Sequence, residues 1–144
     1  MVNNGPRNIS RFPESVPDDV ATGGNRTITD KPIYDPDEVL DLARAESVMF
    51  WTRGARLDAA KWSLDTSDLS QLVATAIQDG RFQGAQWCQQ SSDGPWAACD
   101  SWSVTRSEWI DTAGKYMDIT YYLKFAISRT GTVLLMVSNH PEQT

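Results

Sequence analysis

The sequence predicts an α+β domain: an antiparallel β-sheet with two or three helices packed on one of its faces. Up to Asp79 the apolar residues recur at helical spacing, whereas after Gly80 they alternate with polar residues at a period of two. The length of 144 residues and the hydrophobic share of 40% provide one core of ordinary size. We therefore expect a single domain over residues 31–144.

Residues 1–30 are predicted to form a flexible N-terminal tail. The stretch is rich in Gly, Pro, Asn, Ser and Asp, and its hydrophobic residues are scattered. Such a composition buries too little apolar surface to offset the entropy that is lost on ordering.

The elements of the domain follow from periodicity and from capping signals. Acidic residues near the start of the first helix suit the positive end of its dipole. Thr66 or Ser67 is expected to cap the main helix, which stops before Gly80. In order, the predicted elements are a helix at residues 36–47, a buried strand at 48–51, a helical turn at 56–62, a helix at 67–79, and strands at 81–90, 96–104, 116–127 and 132–138.

The last two strands are predicted to pair as a hairpin around Gly131, which suits the left-handed position at the end of a three-residue loop. This loop sets a register in which Thr120 lies opposite His140. Cross-strand partners share a face, and diagonal neighbours lie about 7–8 Å apart. Tyr122, Lys124 and His140 are therefore expected together on the polar face of the sheet.

These three side chains have the chemistry that cleaves RNA through its own 2′-hydroxyl group without a metal or another cofactor. His140 suits proton transfer near neutral pH, Lys124 supplies positive charge, and Tyr122 positions the phosphate. The same spacing also fits a solvated histidine, an edge-protecting lysine and a tyrosine that fills the sheet. Three arginines are expected to contact RNA phosphates: Arg81, Arg106 and Arg129.

A candidate surface for a protein partner lies in the strand at 96–104. Trp96, Asp100 and Trp102 have the same parity and are expected to share a face. Aromatic residues dominate the energetics of many interfaces, so we assign these three to partner binding. Ordinary packing in the sheet is the alternative for the tryptophans.

The composition of the chain limits the ligands and the cellular location that we expect. The net charge of −6 argues against a protein that grips long polyanions by charge. No apolar run has the length of a membrane span and no signal-peptide pattern is seen, so we expect a cytoplasmic protein of bacterial or phage origin that does not bind membranes. Cys88 and Cys99 are expected to stay reduced and to form no metal site.

Several motifs in a fixed order carry a family resemblance: "YDPDEVLDLA", "ARLDAAKWSLDTSDLSQLVATAI", "DGRF", "GPWAACDSW" and "YYLKFAI" followed by "VLLMVSN". From about residue 32 to 142 their order resembles that of the MqsR (motility quorum-sensing regulator) toxin family. These toxins are sequence-specific mRNA endoribonucleases of type II toxin–antitoxin systems. The resemblance implies a fold related to that of RelE-like toxins.

The resemblance also implies functional positions. The family's tyrosine before Leu-Lys matches Tyr122, and the lysine that closes its last strand falls at His140. The family's other lysine falls at Gly84 and its glutamine at Ala97, so these two positions lack the family's side chains.

Two functions are therefore expected as alternatives. The first is an MqsR-like toxin that cleaves single-stranded mRNA and binds a cognate antitoxin. The second is a non-catalytic module of the same fold that binds a host protein, such as a phage-encoded inhibitor of a host defence complex, or that acts as an antitoxin decoy. The acidic net charge and the residues at Gly84 and Ala97 favour the second.

Overall fold

The computed structural model describes residues 6–142, which form an α+β fold with four helices and a six-stranded sheet. The helices are α1 (Asp18–Ala21), α2 (Pro36–Arg44), α3 (Arg53–Lys61) and α4 (Thr66–Asp79). The strands are β1 (Thr27–Thr29), β2 (Val48–Phe50), β3 (Arg81–Gln89), β4 (Trp96–Ile110), β5 (Lys115–Ile127) and β6 (Leu134–Pro141). The predicted α+β class is confirmed.

The sheet has the strand order β1-β3-β4-β5-β6-β2. Its pairs are antiparallel except the last, in which β2 runs parallel to β6. The sheet is therefore mixed, which differs from the purely antiparallel sheet of the prediction. The parallel pair arises because β2 and β6 are far apart in sequence and no hairpin fixes their relative direction.

Side-chain caps mark the starts of α2, α3 and α4. The Asp35 carboxylate accepts the Asp37 N–H at the start of α2, with Pro36 in the first turn. At α4, Asp65 and Asp68 form a capping box, so the N-cap is Asp65, one residue before Thr66 and two before Ser67, the predicted caps. The longest helix, α4, has 14 residues, and no helix within residues 6–142 is long and apolar enough to cross a membrane.

The two faces of the sheet differ. One face carries Leu123 and Phe125 of β5, which are buried in one core with side chains of α2 and α4, such as Val39 and Leu72. The opposite face, called the pocket face below, carries Tyr122. The apolar alternation predicted for β5 holds in this central part of the strand, where the helices cover every second residue.

Beyond the centre, β4 and β5 continue as a two-stranded arm, residues 105–120. Here the two strands pair with each other in register, from Thr105 opposite Thr120 to Ile110 opposite Lys115. No other strand of the described chain pairs with this arm, because β3 begins opposite Ser103 and β6 ends opposite Tyr121. Its side chains are therefore largely exposed.

A β-bulge in β6 determines which side chains reach the pocket face. Met136 pairs with Phe125, whereas Ser138 pairs with Lys124, so Val137 is an extra residue in β6. A shift of one residue moves every following side chain to the other face of a sheet.

The predicted register of this hairpin is wrong by two residues, since His140 lies opposite Tyr122 and not opposite Thr120. One residue comes from the loop, which is longer than predicted: the Ser128 N–H donates to the Val133 carbonyl oxygen at 3.0 Å. The second comes from the bulge. Two single shifts restore the parity, so His140 and Tyr122 share a face as predicted.

Helix α3, predicted only as a turn at residues 56–62, holds the bulge in place. The hydroxyl of its N-cap, Thr52, donates to the Val137 carbonyl oxygen at 2.8 Å and accepts the Ala55 N–H at 3.0 Å. The side chain of Asn139, which is fully buried, donates to the Ala55 carbonyl oxygen at 3.1 Å. The last strand, predicted to end at Ser138, therefore continues against α3 to Pro141.

Parts of the predicted flexible tail are packed against the sheet in the structure. Residues 7–11 lie between the start of β4 and the end of β5 and bond to both: the Ile9 N–H donates to Trp96 and the Arg11 N–H to Ile127. Further along, Val16 and Val20 are buried beside β3 and β4. The remaining tail residues 1–5, like the C-terminal residues 143–144, lie outside the described chain.

The buried side chain of Asn8 organises this segment. Its amide nitrogen donates to the carbonyl oxygens of Phe12 and Glu14, at 2.7 and 2.9 Å, and its oxygen accepts the Ser10 N–H at 2.8 Å. The prediction of a tail was wrong because these contacts are made with the folded sheet and within one irregular turn, which leave no periodic pattern in the sequence.

Replacing Asn8 with alanine should lower the free energy of unfolding by roughly 1–3 kcal/mol, since three backbone groups lose their partner and one of them, the Ser10 N–H, is buried. Denaturant unfolding of the full chain measures this. Asn25→Ala is the matched control, because Asn25 is exposed and we expect a change within about 0.5 kcal/mol. Equal, small effects of both substitutions would contradict the packed position of residues 7–11.

Replacing Thr52 with valine should lower the free energy of unfolding by about 1–2 kcal/mol, because α3 loses its cap and the bulge loses a donor. Thr52→Ser keeps the hydroxyl group and should retain most of the stability. Amide hydrogen exchange along β6 provides a local readout. Exchange that is as slow in Thr52→Val as in the parent would show that the hydroxyl does not hold the bulge.

Candidate functional site

The candidate site is centred on Tyr122 of β5 and His140 of β6, which lie directly opposite each other. Their ring centroids are 6.1 Å apart and the ring planes meet at 48°. The Tyr122 hydroxyl donates to a Glu142 carboxylate oxygen at a long 3.4 Å, and Nδ1 of His140 lies 3.1 Å from the Pro141 carbonyl oxygen. Both side chains line the same pocket.

A depression of about 230 Å³ joins these rings to Lys124. Lys124 is half-buried and lies between Ser101 on β4 and Ser138 on β6. The lining combines an ammonium group, an imidazole, a phenol and hydroxyl groups in a small volume. The lining residues are Gln83, Ser101, Trp102, Tyr122, Leu123, Lys124, Ser138 and His140.

Strand pairing extends this set into a row that crosses four strands. Arg81 pairs with Ser103, Ser103 with Tyr122, and Tyr122 with His140. Paired residues share a face, and neighbouring strands lie about 4.8 Å apart, so the Cα atoms of Arg81 and Tyr122 are roughly 10 Å apart. The pairing places Arg81 on the same face as Tyr122 and His140, and its side chain is exposed, as expected for a phosphate contact.

Neither cation of this face is held by an ion pair. In the part of the chain that the structure describes, ion pairs join Arg11 to Glu38 at 3.4 Å and Arg106 to Glu108 at 2.9 Å. The ammonium group of Lys124 and the guanidinium group of Arg81 are therefore free to meet an anionic ligand.

Two of the predicted phosphate-binding arginines are not part of this site. Arg106 pairs across the arm with Ile119, on the face opposite Tyr122, and lies over the Tyr121 ring at 5.3 Å. Arg129 lies in the loop after β5, where its guanidinium group donates to the Asn8 carbonyl oxygen. The prediction misplaced them, because residue type and sequence distance do not show which face or which end of a strand a cation occupies.

The predicted partner surface is also wrong in two of its three members. Trp96 is 4% exposed and lies under the guanidinium group of Arg26, and Asp100 is 1% exposed. Trp102 is half-buried and makes an edge contact with Phe82, with ring centroids 5.6 Å apart. The shared parity was correct, but this face is the one that the helices and the N-terminal segment cover.

Asp100 has a structural role instead. Its carboxylate accepts the backbone N–H groups of Ile33 and Tyr34, at 3.0 to 3.2 Å, and so fastens the segment before α2 to the sheet. Burial raises the pKa of Asp100 to about 6, and the two backbone donors only partly oppose this shift.

Gly84 and Ala97, the two positions that lack the family's side chains, lie in different parts of the structure. Gly84 pairs with Ser101 beside the pocket and has a φ of 131°, a conformation that disfavours any other residue. Ala97 is fully buried, six residues before Ser103, which is the β4 residue opposite Tyr122. Ser103, rather than Ala97, therefore occupies the position beside the Tyr122–His140 pair.

The sequence analysis did not identify several polar residues of the site, among them Gln83, Ser103 and Glu142. Gln83 bulges out of β3 and donates to the Ser103 hydroxyl at 2.8 Å, and Glu142 follows the last strand. Gly84 beside Gln83 was a signal for such a bulge. Glu142 gave no signal, because its position depends on the true end of β6.

No protein-family model, curated protein or solved structure matches this chain. Within residues 6–142 no group of three or more His, Cys, Asp or Glu side chains is placed to hold a metal ion. Cys88 and Cys99 are both free thiols, buried in the sheet. The chemistry of the site therefore has to be argued from the pocket face itself.

The raised pKa of Asp100 predicts a pH dependence of stability. The folded state binds this proton more tightly than the unfolded state, so the stabilisation is complete below about pH 4 and is lost as the pH rises through about 6. The loss should amount to roughly 3 kcal/mol. Denaturant unfolding of the parent and of Asp100→Asn at several pH values measures it. A difference between the two that does not change from pH 4 to pH 7 would contradict the shift.

Proposed function

We propose that the protein is an MqsR-like, metal-independent endoribonuclease that cleaves single-stranded RNA. One observation carries the proposal: Tyr122 and His140 are direct cross-strand partners, and Lys124 joins them on the same face in one pocket. These are a proton carrier, a phosphate-directed hydroxyl and a cation within reach of one another. The order of sequence motifs described above supports the same class.

Each group has a defined task in this reaction. The neutral imidazole of His140 accepts the proton of the ribose 2′-hydroxyl group, and O2′ attacks the adjacent phosphorus. The bond from phosphorus to O5′ breaks, and the imidazolium returns its proton to O5′. The products are a 2′,3′-cyclic phosphate and a 5′-hydroxyl end, with no net consumption of protons.

The remaining side chains stabilise the charge that develops on the phosphate. The Tyr122 hydroxyl donates to a phosphate oxygen, and Lys124 offsets the negative charge from the adjacent row of the sheet. Arg81 lies further along the row of Tyr122 and contacts a neighbouring phosphate. Lys124 is half-buried, and charge pairs interact more strongly where water is partly excluded.

His140→Ala should reduce the cleavage rate of single-stranded RNA by about 10²- to 10⁴-fold, since the proton carrier is lost. Tyr122→Phe should reduce it by about 10²-fold, because one donor to the phosphate is removed. The assay follows labelled RNA in the presence of a chelator and identifies the cyclic phosphate ends.

Tyr121→Phe is the matched control for the hydroxyl group. Tyr121 is the neighbour of Tyr122 on the same strand but lies on the opposite face of the sheet, under the guanidinium group of Arg106, so its hydroxyl should not affect the rate. Intact RNA at high concentrations of the parent protein, or cleavage that His140→Ala leaves unchanged, would refute the proposed activity.

The second candidate is a binding module that uses the same fold without catalysis, and the net charge of −6 favours it. An acidic protein of this kind would bind a basic partner, either a cognate antitoxin or a host protein whose nucleic-acid groove it occupies. RNA cleavage by the parent protein separates the candidates, because a pure binding module leaves RNA intact.

A further inference from the structure

The tip of the arm carries an exposed pair of aromatic rings. Trp109 and Tyr116 are direct cross-strand partners, 53% and 69% exposed, with ring centroids 5.4 Å apart in an edge-to-face arrangement. The Trp109 Nε1–H donates to an Asp111 carboxylate oxygen at 2.8 Å, so the indole is held in place. Two fixed and solvent-exposed rings are a costly feature for a surface that contacts only water.

These rings lie on the pocket face. No register shift interrupts the pairing of β4 with β5 from Ser103 opposite Tyr122 to Trp109 opposite Tyr116. Every second residue of a strand shares a face, so Tyr116 and Tyr122 lie on the same side, six residues apart. At about 3.4 Å per residue the separation is roughly 20 Å, which a few nucleotides of an extended strand span.

We infer that Trp109 and Tyr116 form a base-stacking platform for the single-stranded RNA that enters the pocket. The inference rests on the proposed function, because the ligand is the same RNA strand. Exposed aromatic side chains on a sheet bind unpaired bases by stacking, largely independently of sequence.

The strip between the platform and the pocket favours bases over phosphates. It carries the hydroxyl groups of Thr105 and Thr120, 2.6 Å apart, and the Ser107–Asp118 pair. The Asp118 carboxylate repels phosphates, whereas the hydroxyl groups can donate to bases or sugars. The RNA backbone is therefore expected to turn away from the arm and to meet positive charge only at Lys124 and Arg81.

The test measures binding and cleavage separately. A fluorescently labelled single-stranded oligonucleotide with 2′-O-methyl groups has no nucleophile, so its anisotropy reports binding to the intact full-length protein. The double variant Trp109→Ala/Tyr116→Ala should weaken binding of an oligonucleotide long enough to reach the arm by about ten-fold or more. A short oligonucleotide that fills only the pocket should bind the variant and the parent equally.

Three further variants control the measurement. Trp62→Ala removes a tryptophan that is 40% exposed at the C-cap of α3, a helix that packs on Asn139 on the side of the sheet opposite the pocket face, and should bind like the parent. Trp109→Phe/Tyr116→Phe keeps both rings and should restore binding. His140→Ala should lose cleavage while it keeps the dependence of binding on oligonucleotide length, because the arm is intact.

The outcomes distinguish this inference from the proposed function. Weaker binding in the double alanine variant, with parent-like binding in Trp62→Ala, supports the platform even if the parent cleaves no RNA. If the double alanine variant binds and cleaves RNA like the parent, the platform is overturned but the proposed function is not. The two rings would then be candidates for binding a protein partner. A parent protein that binds no single-stranded oligonucleotide also overturns it.

Discussion

The extra residue Val137 in β6, fixed by the hydrogen bond from the Thr52 hydroxyl, decides which face of the sheet the end of the chain uses. Without it, Asn139 would oppose Tyr122 and His140 would turn toward the helices. With it, Asn139 bonds to α3 and His140 reaches the pocket face. One hydroxyl at a helix N-cap therefore couples the packing of α3 to the composition of the candidate site.

The N-terminal segment plays a comparable part at the other end of the sheet. Strands β4 and β5 pair with each other from Asp100 opposite Phe125 outward to the arm. At the other end of these strands, residues 7–11 lie between them and form hydrogen bonds with their backbone groups. The Asn8 side chain then donates to the carbonyl oxygens of the turn that follows. Burial of Asp100 and Trp96 follows from the same arrangement, since the chain that leaves this turn covers that side of the sheet.

The sequence was sufficient for features that are encoded locally. The alternation in β5, the start of α2 at Pro36 and the left-handed Gly131, with a φ of 75°, all depend on neighbours in the chain. The sequence also predicted correctly that Trp96 and Asp100 share a face of the sheet. It did not predict that this face is buried, because the segments that cover it are distant in the sequence. The bulge at Val137 left no signal, and the parity of His140 was right because the longer loop and the bulge offset each other.

The acidity of the whole chain does not set the electrostatics of the pocket. Exposed charges separated by more than about 8 Å are largely screened at physiological ionic strength, so acidic residues on the helices contribute little to the pocket face. A phosphate there meets Lys124 and Arg81 first, with Glu142 near Tyr122 as the adjacent acid. A ligand held by so few cations should show a shallow salt dependence, because few counterions are released on binding. For the proposed RNA ligand, stacking and hydrogen bonds then supply most of the affinity, which favours RNA whose bases are unpaired over a duplex that offers mainly its phosphates.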